Sequence, residues 1–147
     1  MIIRLLKKTD VKLLVDLCKA HALFEKVDYN PMNKEKLLLE YFFTSDSDIK
    51  CLVVEQDGKL QGYATFMKQF STWGASFYMY LDCLYLKEEI RGKGVGAKLM
   101  GKIKNYAKTE DCKEIQWQTP DFNLDAIRFY KKIGGEPKSK ERFSWKI

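Results

Sequence analysis

Residues 91–96, Arg-Gly-Lys-Gly-Val-Gly, have the composition and spacing of a loop that binds a phosphate group. They follow an apolar, strand-like stretch that ends at Leu86, and they open a helix-like stretch. Glycines at alternate positions let the backbone turn tightly and approach a ligand. The first amides of a helix lack intrahelical partners and lie at the positive end of its dipole. A diphosphate is therefore the predicted ligand, and Arg91 and Lys93 add favourable charge.

The spacing of this loop separates it from two other phosphate-binding motifs. A P-loop would end in Gly-Lys-Ser/Thr, and a dinucleotide-binding loop would read Gly-x-Gly-x-x-Gly. Here the pattern is Arg-x-x-Gly-x-Gly. A purely structural glycine turn is the alternative interpretation of the same residues.

The apolar periodicity around the loop predicts alternating strands and helices. Helices are expected after Asp10, after Asn33, from about residue 95, and after Asn123, which is a good N-cap. The second helix is expected to turn Leu37, Leu38, Tyr41 and Phe42 inward. Strands are expected at residues 2–6, 51–55, 60–69, 77–86, 114–119 and 142–147. This order predicts a mixed sheet with helices on both faces, in the α/β or α+β class.

Length and charge limit the class of protein. The chain has 147 residues and a net charge of +6, with 46% hydrophobic residues. We expect a single domain, residues 1–147, with a sizeable core. No apolar run is long enough to span a bilayer, and no secretory signal begins the chain, so we expect a cytoplasmic protein that does not bind membranes. The basic residues are dispersed, and nucleic-acid binding is therefore the weaker interpretation of the charge.

The cysteines and the histidine do not form a metal-binding pattern. Cys18, Cys51, Cys83 and Cys112 are widely spaced, and His21 is the single histidine. We therefore expect reduced cysteines and no metal site. His21 is interpreted as a partly buried helix residue rather than a catalytic base.

With the glycine loop at the head of its central helix, the order of elements resembles the GNAT superfamily of acyl-CoA N-acyltransferases over nearly the whole chain. Several segments are similar to the spermidine/spermine (diamine) N-acetyltransferase branch. These are residues 71–74 (Ser-Thr-Trp-Gly), 80–82 (Tyr-Leu-Asp), 122–123 (Phe-Asn) after Trp117, 127–130 (Ile-Arg-Phe-Tyr), 134–135 (Gly-Gly), and Trp145.

The resemblance implies a mostly antiparallel central sheet and transfer of an acetyl group from acetyl-CoA, as cosubstrate, to a primary amine of a small molecule. It also implies a homodimer, and a bulge in the strand before the loop that parts this strand from the next. The residues that match the CoA site of the family are Leu84, Leu86, Arg91, Gly92, Lys93, Gly94, Val95, Gly96 and Asn123. The Leu84 N–H matches a donor to the developing oxyanion.

Two residues match catalytic positions of the family. Tyr130 matches the general acid that protonates the CoA thiolate, and a packed core tyrosine is the alternative. Asp82 lies in an apolar strand, where a carboxylate is costly unless paired or functional. It matches an acid that helps to deprotonate the amine through water, and a carboxylate paired to a lysine is the alternative. Strand alternation would place Asp82 on one face with Tyr80 and Leu84.

Three further residues are candidates for binding the amine. Glu25 and Asp28 lie in the segment that usually walls the acceptor pocket in this family, and with Asp82 they would attract a cation. A solvated acidic loop is the alternative for both. Trp73 is expected either to pack over the methylenes of the amine or to lie at a dimer interface. Cys83 stands where the diamine branch usually carries a second acid.

Two other functions remain open at this stage. A protein or peptide N-acetyltransferase would need an open groove across the cleft. A CoA-binding regulatory module without catalysis is the alternative from another class, and the presence of both Asp82 and Tyr130 argues against it.

Overall fold

A five-stranded sheet forms the centre of the protein in the computed structural model, which describes residues 1–147. Four helices of seven residues or more accompany it, and 3-10 turns at Lys8–Asp10 and Glu88–Ile90 precede the first and third of them. In chain order the elements are β1 (Ile2–Leu5), α1 (Val11–Phe24), α2 (Lys34–Phe42), β2 (Ile49–Gln56), β3 (Lys59–Ser71), β4 (Ser76–Leu86), α3 (Val95–Thr109), β5 (Ile115–Trp117) and α4 (Leu124–Lys132).

The strands lie in the order in which they occur in the chain, from β1 to β5. The first four pair antiparallel, and β5 pairs parallel to β4 after the crossover through α3. The β2–β3 hairpin turns at Asp57 and Gly58, whose φ angles are +52° and +72°. Such angles at both central residues match the twist of the flanking strands. The mixed, mostly antiparallel sheet predicted from the sequence is confirmed.

Each face of the sheet buries its own hydrophobic core. Alternate residues of a strand face opposite sides, so Leu52 and Val54 pack under α3 while Cys51 and Val53 pack under α1. Helices α3 and α4 cover the first face, and α1 and α2 cover the second. Helices therefore lie on both faces, as expected. No helix of the protein is long and apolar enough to cross a bilayer.

The inward face of α2 differs from the one expected from its sequence. Leu37 and Tyr41 are exposed, whereas Leu38, Leu39 and Phe42 pack against the core under α1. Residues four apart lie above one another on a helix, and this stripe, rather than the one through Leu37 and Tyr41, meets β2 and α1. The prediction was wrong for these two side chains.

The strand expected at residues 142–147 does not form, and the strand expected at 114–119 is reduced to Ile115–Trp117. Phe143, Trp145 and Ile147 do alternate as in a strand, yet all three are more than 90% exposed. Alternation shows which residues can line one face of a strand, but a strand also needs a neighbouring edge to accept its hydrogen bonds. Within a single chain, residues 142–147 pair with no edge of the sheet.

Candidate functional site

A bulge at Asp82 interrupts the pairing of β4 with β3. Thr65 pairs with Cys83 and Phe66 pairs with Leu81, so Asp82 has no partner residue on β3. An extra residue in one strand reverses the alternation of the side chains that follow it. Leu81 before the bulge and Leu84 after it therefore both face the core under α3. The expectation that Asp82 shares a face with Tyr80 and Leu84 was wrong for Leu84 for this reason, whereas Tyr80, between Met79 and Leu81, faces the same side as Asp82.

Beyond the bulge, β4 separates from β5. The two strands pair only at residues 79–81 of β4 with residues 115–117 of β5. The Lys87 N–H donates to Gln61 O of β3 at 2.8 Å, so alternation turns the backbone groups of Leu84 and Leu86 away from β3. The backbone groups of Leu84 and Leu86 line the gap that opens beyond the end of β5. This wedge, between residues 82–86 and the end of β5, exposes unpaired strand backbone to an extended ligand.

The glycine loop opens at the head of the wedge with its amides free. Gly92 and Gly94 have φ angles of +71° and +75°, which side chains rarely allow. The first amide of α3 with a backbone partner is that of Lys98, bonded to Gly94 O at 3.2 Å, and the amides of residues 92–97 have no partner in the protein. A Cβ at Gly92 or Gly94 would meet no atom within 4 Å. This open cradle of amides fits a phosphate group.

Gly96 is required for a different reason. A Cβ on Gly96 would lie 2.9 Å from Cζ of Phe129, a distance that forces α4 or the Phe129 ring to move. The third glycine of the loop therefore allows α3 to pack closely on α4, and a change at this position would disturb the fold as well as any ligand.

The Arg91 side chain is held by the protein rather than directed at the loop amides. Its Nε donates to Leu86 O at 2.7 Å, and its guanidinium lies 4.3 Å from the ring centre of Phe24 and 5.5 Å from that of Tyr85. Such contacts attract a cation to the faces of both rings. Arg91 thus joins the glycine loop to the end of α1, while Lys93 is exposed and makes no ion pair.

Helix α4 brings Asn123 and Tyr130 to the same side of the sheet as the loop. Asn123 Oδ1 accepts the Ala126 N–H at 3.3 Å, which confirms its predicted N-cap role. Tyr130 packs against Trp117 and Phe129, with ring centres 5.2 Å apart in both cases. Burial, helped by the charge of Glu25, raises the pKa of Tyr130 to about 12. The phenol therefore keeps its proton at neutral pH, and its hydroxyl has no partner in the protein.

Asp82 is exposed and makes no ion pair, so the lysine partner considered from the sequence is not present. Asp82 Oδ2 lies 3.5 Å from both Thr65 Oγ1 and Cys83 Sγ. Because Thr65 lies between two residues that face α3, its own side chain, and Asp82 with it, faces α1. Cys83 is a core thiol whose pKa burial and the nearby Asp82 raise to about 12. It supplies no second acid.

The end of α1 forms the wall of the site that faces the wedge. Glu25 follows the last residue of the helix, and its Oε1 lies 3.2 Å from Nε2 of His21. The Lys26 ammonium lies 4.9 Å from the ring centre of Phe122, so this wall touches the segment before α4. A depression of about 400 Å³ lies between them. A second depression, of about 520 Å³, lies beside α2 and away from the glycine loop.

Two of the candidate residues are not brought to this site. Trp73 lies at the tip of the β3–β4 hairpin and is 99% exposed. Asp82 lies six residue steps along the strand from Ser76, a span of about 20 Å, so Trp73 lies far from the wedge of its own chain. Asp28 is exposed in the loop after α1 and contacts none of the other candidates. The remaining candidates line the wedge, its loop or its facing wall.

Three residues at the site were not assigned a functional role from the sequence. Phe24 and Phe122 line the depression, and His21 contacts Glu25. His21 and Glu25 are four residues apart on a predicted helix, and this spacing was the available signal for their contact. The approach of Phe24 and Phe122 depends on contacts between distant parts of the chain and had no local signal.

Comparisons with known proteins identify relatives of this chain. The sequence profile described as the Acetyltransferase (GNAT) family matches residues 14–135. The chain is 28% identical over 141 residues to the thialysine N-epsilon-acetyltransferase of Sus scrofa, covering 90% of this chain and 82% of the relative. It is 28% identical over 81 residues to the spermine/spermidine N(1)-acetyltransferase of Bacillus subtilis, covering 53% of each.

The fold also matches a solved structure that contains CoA. The aminoglycoside N-acetyltransferase AAC(6')-Iy in complex with CoA superimposes with a TM-score of 0.82 at 17% identity, covering 99% of this chain and 93% of the other. At that identity the match establishes the shared fold.

Proposed function

This chain belongs to the Acetyltransferase (GNAT) family, and from that premise we propose that it acetylates a small cationic molecule carrying a primary amine on an alkyl chain. Diamines, polyamines and amino acids with a side-chain amine have this chemistry. Transfer of an acetyl group to an amine is the activity of the family. The class of amine is the proposal, and the observation that supports it is a pair of carboxylates that form no ion pair with lysine or arginine.

Asp82 and Glu25 are these two carboxylates. Asp82 lies beside Thr65, and Glu25 is linked through His21 to Tyr63, two residues earlier on the same strand and the same face. Neither forms an ion pair with lysine or arginine, although the chain has a net charge of +6. Two carboxylates left without cations at one mouth attract a cation from solution. Relatives that act on thialysine and on spermine or spermidine support the same class of acceptor.

The contact of Lys26 with Phe122 favours a small acceptor over a protein. It bridges the end of α1 and the segment before α4, and so interrupts the open groove that a polypeptide would need. The unpaired acceptor carboxylates and the protonated Tyr130 likewise favour an enzyme over a regulatory module that only binds CoA.

Acetyl-CoA would supply the acetyl group as a thioester. We assign its pyrophosphate to the free amides of residues 92–97 and its pantetheine arm to the backbone of Leu84 and Leu86. The unpaired strand edge and the open space beside Gly94 support this assignment. The capping Asn123 retains a free amide N–H₂ for the same ligand. Arg91 would act by holding the loop rather than by touching phosphate.

The residues around the wedge provide groups for each proton and charge of the transfer. Asp82, which is exposed, would accept the proton of the ammonium through water, leaving a neutral amine as nucleophile. The Leu84 N–H would donate to the acetyl oxygen as negative charge develops there. Tyr130, still protonated at neutral pH, would donate to the departing sulfur and would regain the second proton that the nitrogen loses as the amide forms. Its raised pKa makes it a reluctant acid, so we expect this transfer to be concerted with departure of the sulfur.

The direct test is thiol release from acetyl-CoA in the presence of a panel of amines. We expect kcat/KM to be highest for amines that carry a second cationic group on a short alkyl chain. Matched monoamines should be at least about tenfold poorer, because they cannot use both carboxylates. An aminoglycoside and a lysine-containing peptide complete the panel. Release with the peptide alone would contradict the proposed acceptor class.

Replacing Gly94 tests the phosphate cradle. The φ of +75° makes an L-residue costly there, by about 1–2 kcal/mol, and the new Cβ would enter the open space. We expect Gly94→Ala to weaken acetyl-CoA binding at least about tenfold by calorimetry. Gly101→Ala in the same helix is the matched control, since its Cβ would meet nothing and alanine favours helix. Equal affinity in the two variants would refute the cradle.

Replacing Tyr130 by phenylalanine tests its role as an acid. The ring contacts with Trp117 and Phe129 are kept, so stability should change little. Because a well-placed acid contributes about 10²–10⁴-fold in rate, kcat should fall by at least about 100-fold while the affinity for acetyl-CoA is maintained. A normal kcat in Tyr130→Phe would transfer the role to water or another group.

Asp82→Asn tests proton removal from the amine. We expect a raised KM for the amine and a defect that shrinks as pH rises, because the free amine then needs no base. Initial rates from pH 6 to 10 measure this trend. A defect of constant size across the range would show that Asp82 has only a structural role.

We also propose a homodimer formed through the C-terminal tail. Phe143, Trp145 and Ile147 would be fully solvated in a monomer, as would Trp73, and a second copy is the partner that the family resemblance implies. Light scattering at micromolar concentration should give twice the chain mass of 17.3 kDa. Deletion of residues 139–147 should give a monomer that still melts cooperatively. A full-length monomer would contradict the dimer.

A cytoplasmic location is the remaining part of the proposal. All four cysteines are free thiols, which suits a reducing compartment. The cellular supply of acetyl-CoA is consistent with the same location.

A further inference from the structure

His21 lies almost wholly inside the protein, between the sheet and the acceptor wall. Its Nδ1 is 2.9 Å from the Tyr63 hydroxyl, and its Nε2 is 3.2 Å from Glu25 Oε1. The ring stacks on Tyr85 with centres 5.2 Å apart and planes inclined by 24°. The side chain is only 12% exposed. Every polar atom of the imidazole is thus used, and one of its two partners is a carboxylate at the site.

The chemistry of these partners fixes which nitrogen carries the proton. A carboxylate only accepts hydrogen bonds, so Nε2 must donate to Glu25. In the neutral ring, Nδ1 then accepts, and the Tyr63 hydroxyl is its donor. Burial raises the pKa of Tyr63 well above its usual value, so this hydroxyl keeps its proton. Tyr63 therefore holds one end of the ring while the other end points its N–H at Glu25.

The backbone at Glu25 is fixed as well. Lys26 has a φ of +58°, its N–H donates to Leu23 O, and the Val27 N–H donates to Ala22 O. This pattern of bonds ends the helix at Glu25. A carboxylate at the negative end of a helix is electrostatically unfavourable, and the His21 N–H offsets that cost. Without this donor, the flexible Glu25 side chain, already 31% exposed, would turn into solvent.

We propose that His21 is a positioning residue for the amine site: through Nε2 it holds the Glu25 carboxylate at the mouth of the wedge, where Glu25 binds the second cationic group of the acceptor. Glu25 Oε2 has no partner in the protein and is left for the ligand. The charge of Glu25 also reaches Tyr130, where it contributes to the raised pKa of the phenol, so the carboxylate lies close to the reacting end. This inference rests on the proposed acceptor class.

The groups around His21 support positioning rather than proton transfer by the ring itself. Tyr63 faces it from the sheet, and Tyr85 covers one face with the Arg91 guanidinium beyond it. Tyr63 and Glu25 use both nitrogens. An ammonium at the wedge therefore meets Glu25 before it meets the imidazole, and the effect of His21 must pass through that carboxylate.

The test compares His21→Leu, which removes both hydrogen bonds, with His21→Gln, which keeps an N–H donor on a side chain of suitable length. Steady-state kinetics use 1,3-diaminopropane as the dicationic acceptor and propylamine as its monocationic control. We expect His21→Leu to raise KM for the diamine about tenfold, in line with loss of a hydrogen bond to a charged group. KM for propylamine and for acetyl-CoA should stay within about twofold, and His21→Gln should recover most of the lost diamine affinity.

Glu25→Gln provides the second arm. If His21 acts only through Glu25, adding His21→Leu to Glu25→Gln should not raise KM for the diamine any further. Multiplicative effects of the two changes would overturn the proposal, as would an unchanged diamine KM in His21→Leu. Should His21→Leu not fold, Tyr63→Phe removes the other anchor of the ring and should raise the same KM, while an unchanged KM there would also contradict the proposal. A wild-type enzyme inactive with every amine would instead contradict the proposed acceptor class.

Discussion

The separation of β4 from β5 at the Asp82 bulge is the constraint on which the rest of the site depends. Strand backbone inside a protein must find hydrogen-bond partners, and the sheet supplies them on one side only for residues 82–86. Backbone groups left without hydrogen bonds at this edge would cost free energy unless a ligand bonded to them. Asp82, the inserted residue, lies on the α1 side of the sheet, opposite to Leu81 and Leu84 in the core under α3. One inserted residue thus provides both a strand edge for the acetyl donor and a carboxylate for the acceptor.

The two sides of this wedge are physically joined. Arg91 begins the glycine loop, yet its guanidinium lies on Phe24 at the end of α1. From there Glu25 and His21 connect back to Tyr63 in the sheet, and Lys26 reaches across to Phe122 before α4. A ligand that orders the glycine loop therefore also braces the wall that would receive the amine. Rigid elements on both sides hold the reacting groups in place, as precise positioning requires.

Local signals in the sequence predicted most of the fold and part of the site. The free amides before α3 and the Asn123 cap follow from residues close together in the chain, and both are present. The failures involve distant partners. The resemblance implied a bulge in β4 but not its position, so Leu84 was wrongly assigned to the same face as Asp82. The tail at 142–147 alternates like a strand but has no edge within its own chain. His21 is the partly buried helix residue that was expected, but its contacts with Tyr63 and Tyr85 depend on how the sheet folds and had no local signal.

Amide hydrogen exchange, measured residue by residue with and without CoA, tests most directly whether the wedge and its glycine loop form the cosubstrate site. The account predicts that CoA slows exchange at residues 92–97 and at Leu84 and Leu86, whose backbone N–H groups have no partner on the open side. Amides already bonded within β2 and β3 should change little. Protection confined to other surfaces, with these amides exchanging at the same rate in both states, would contradict the account.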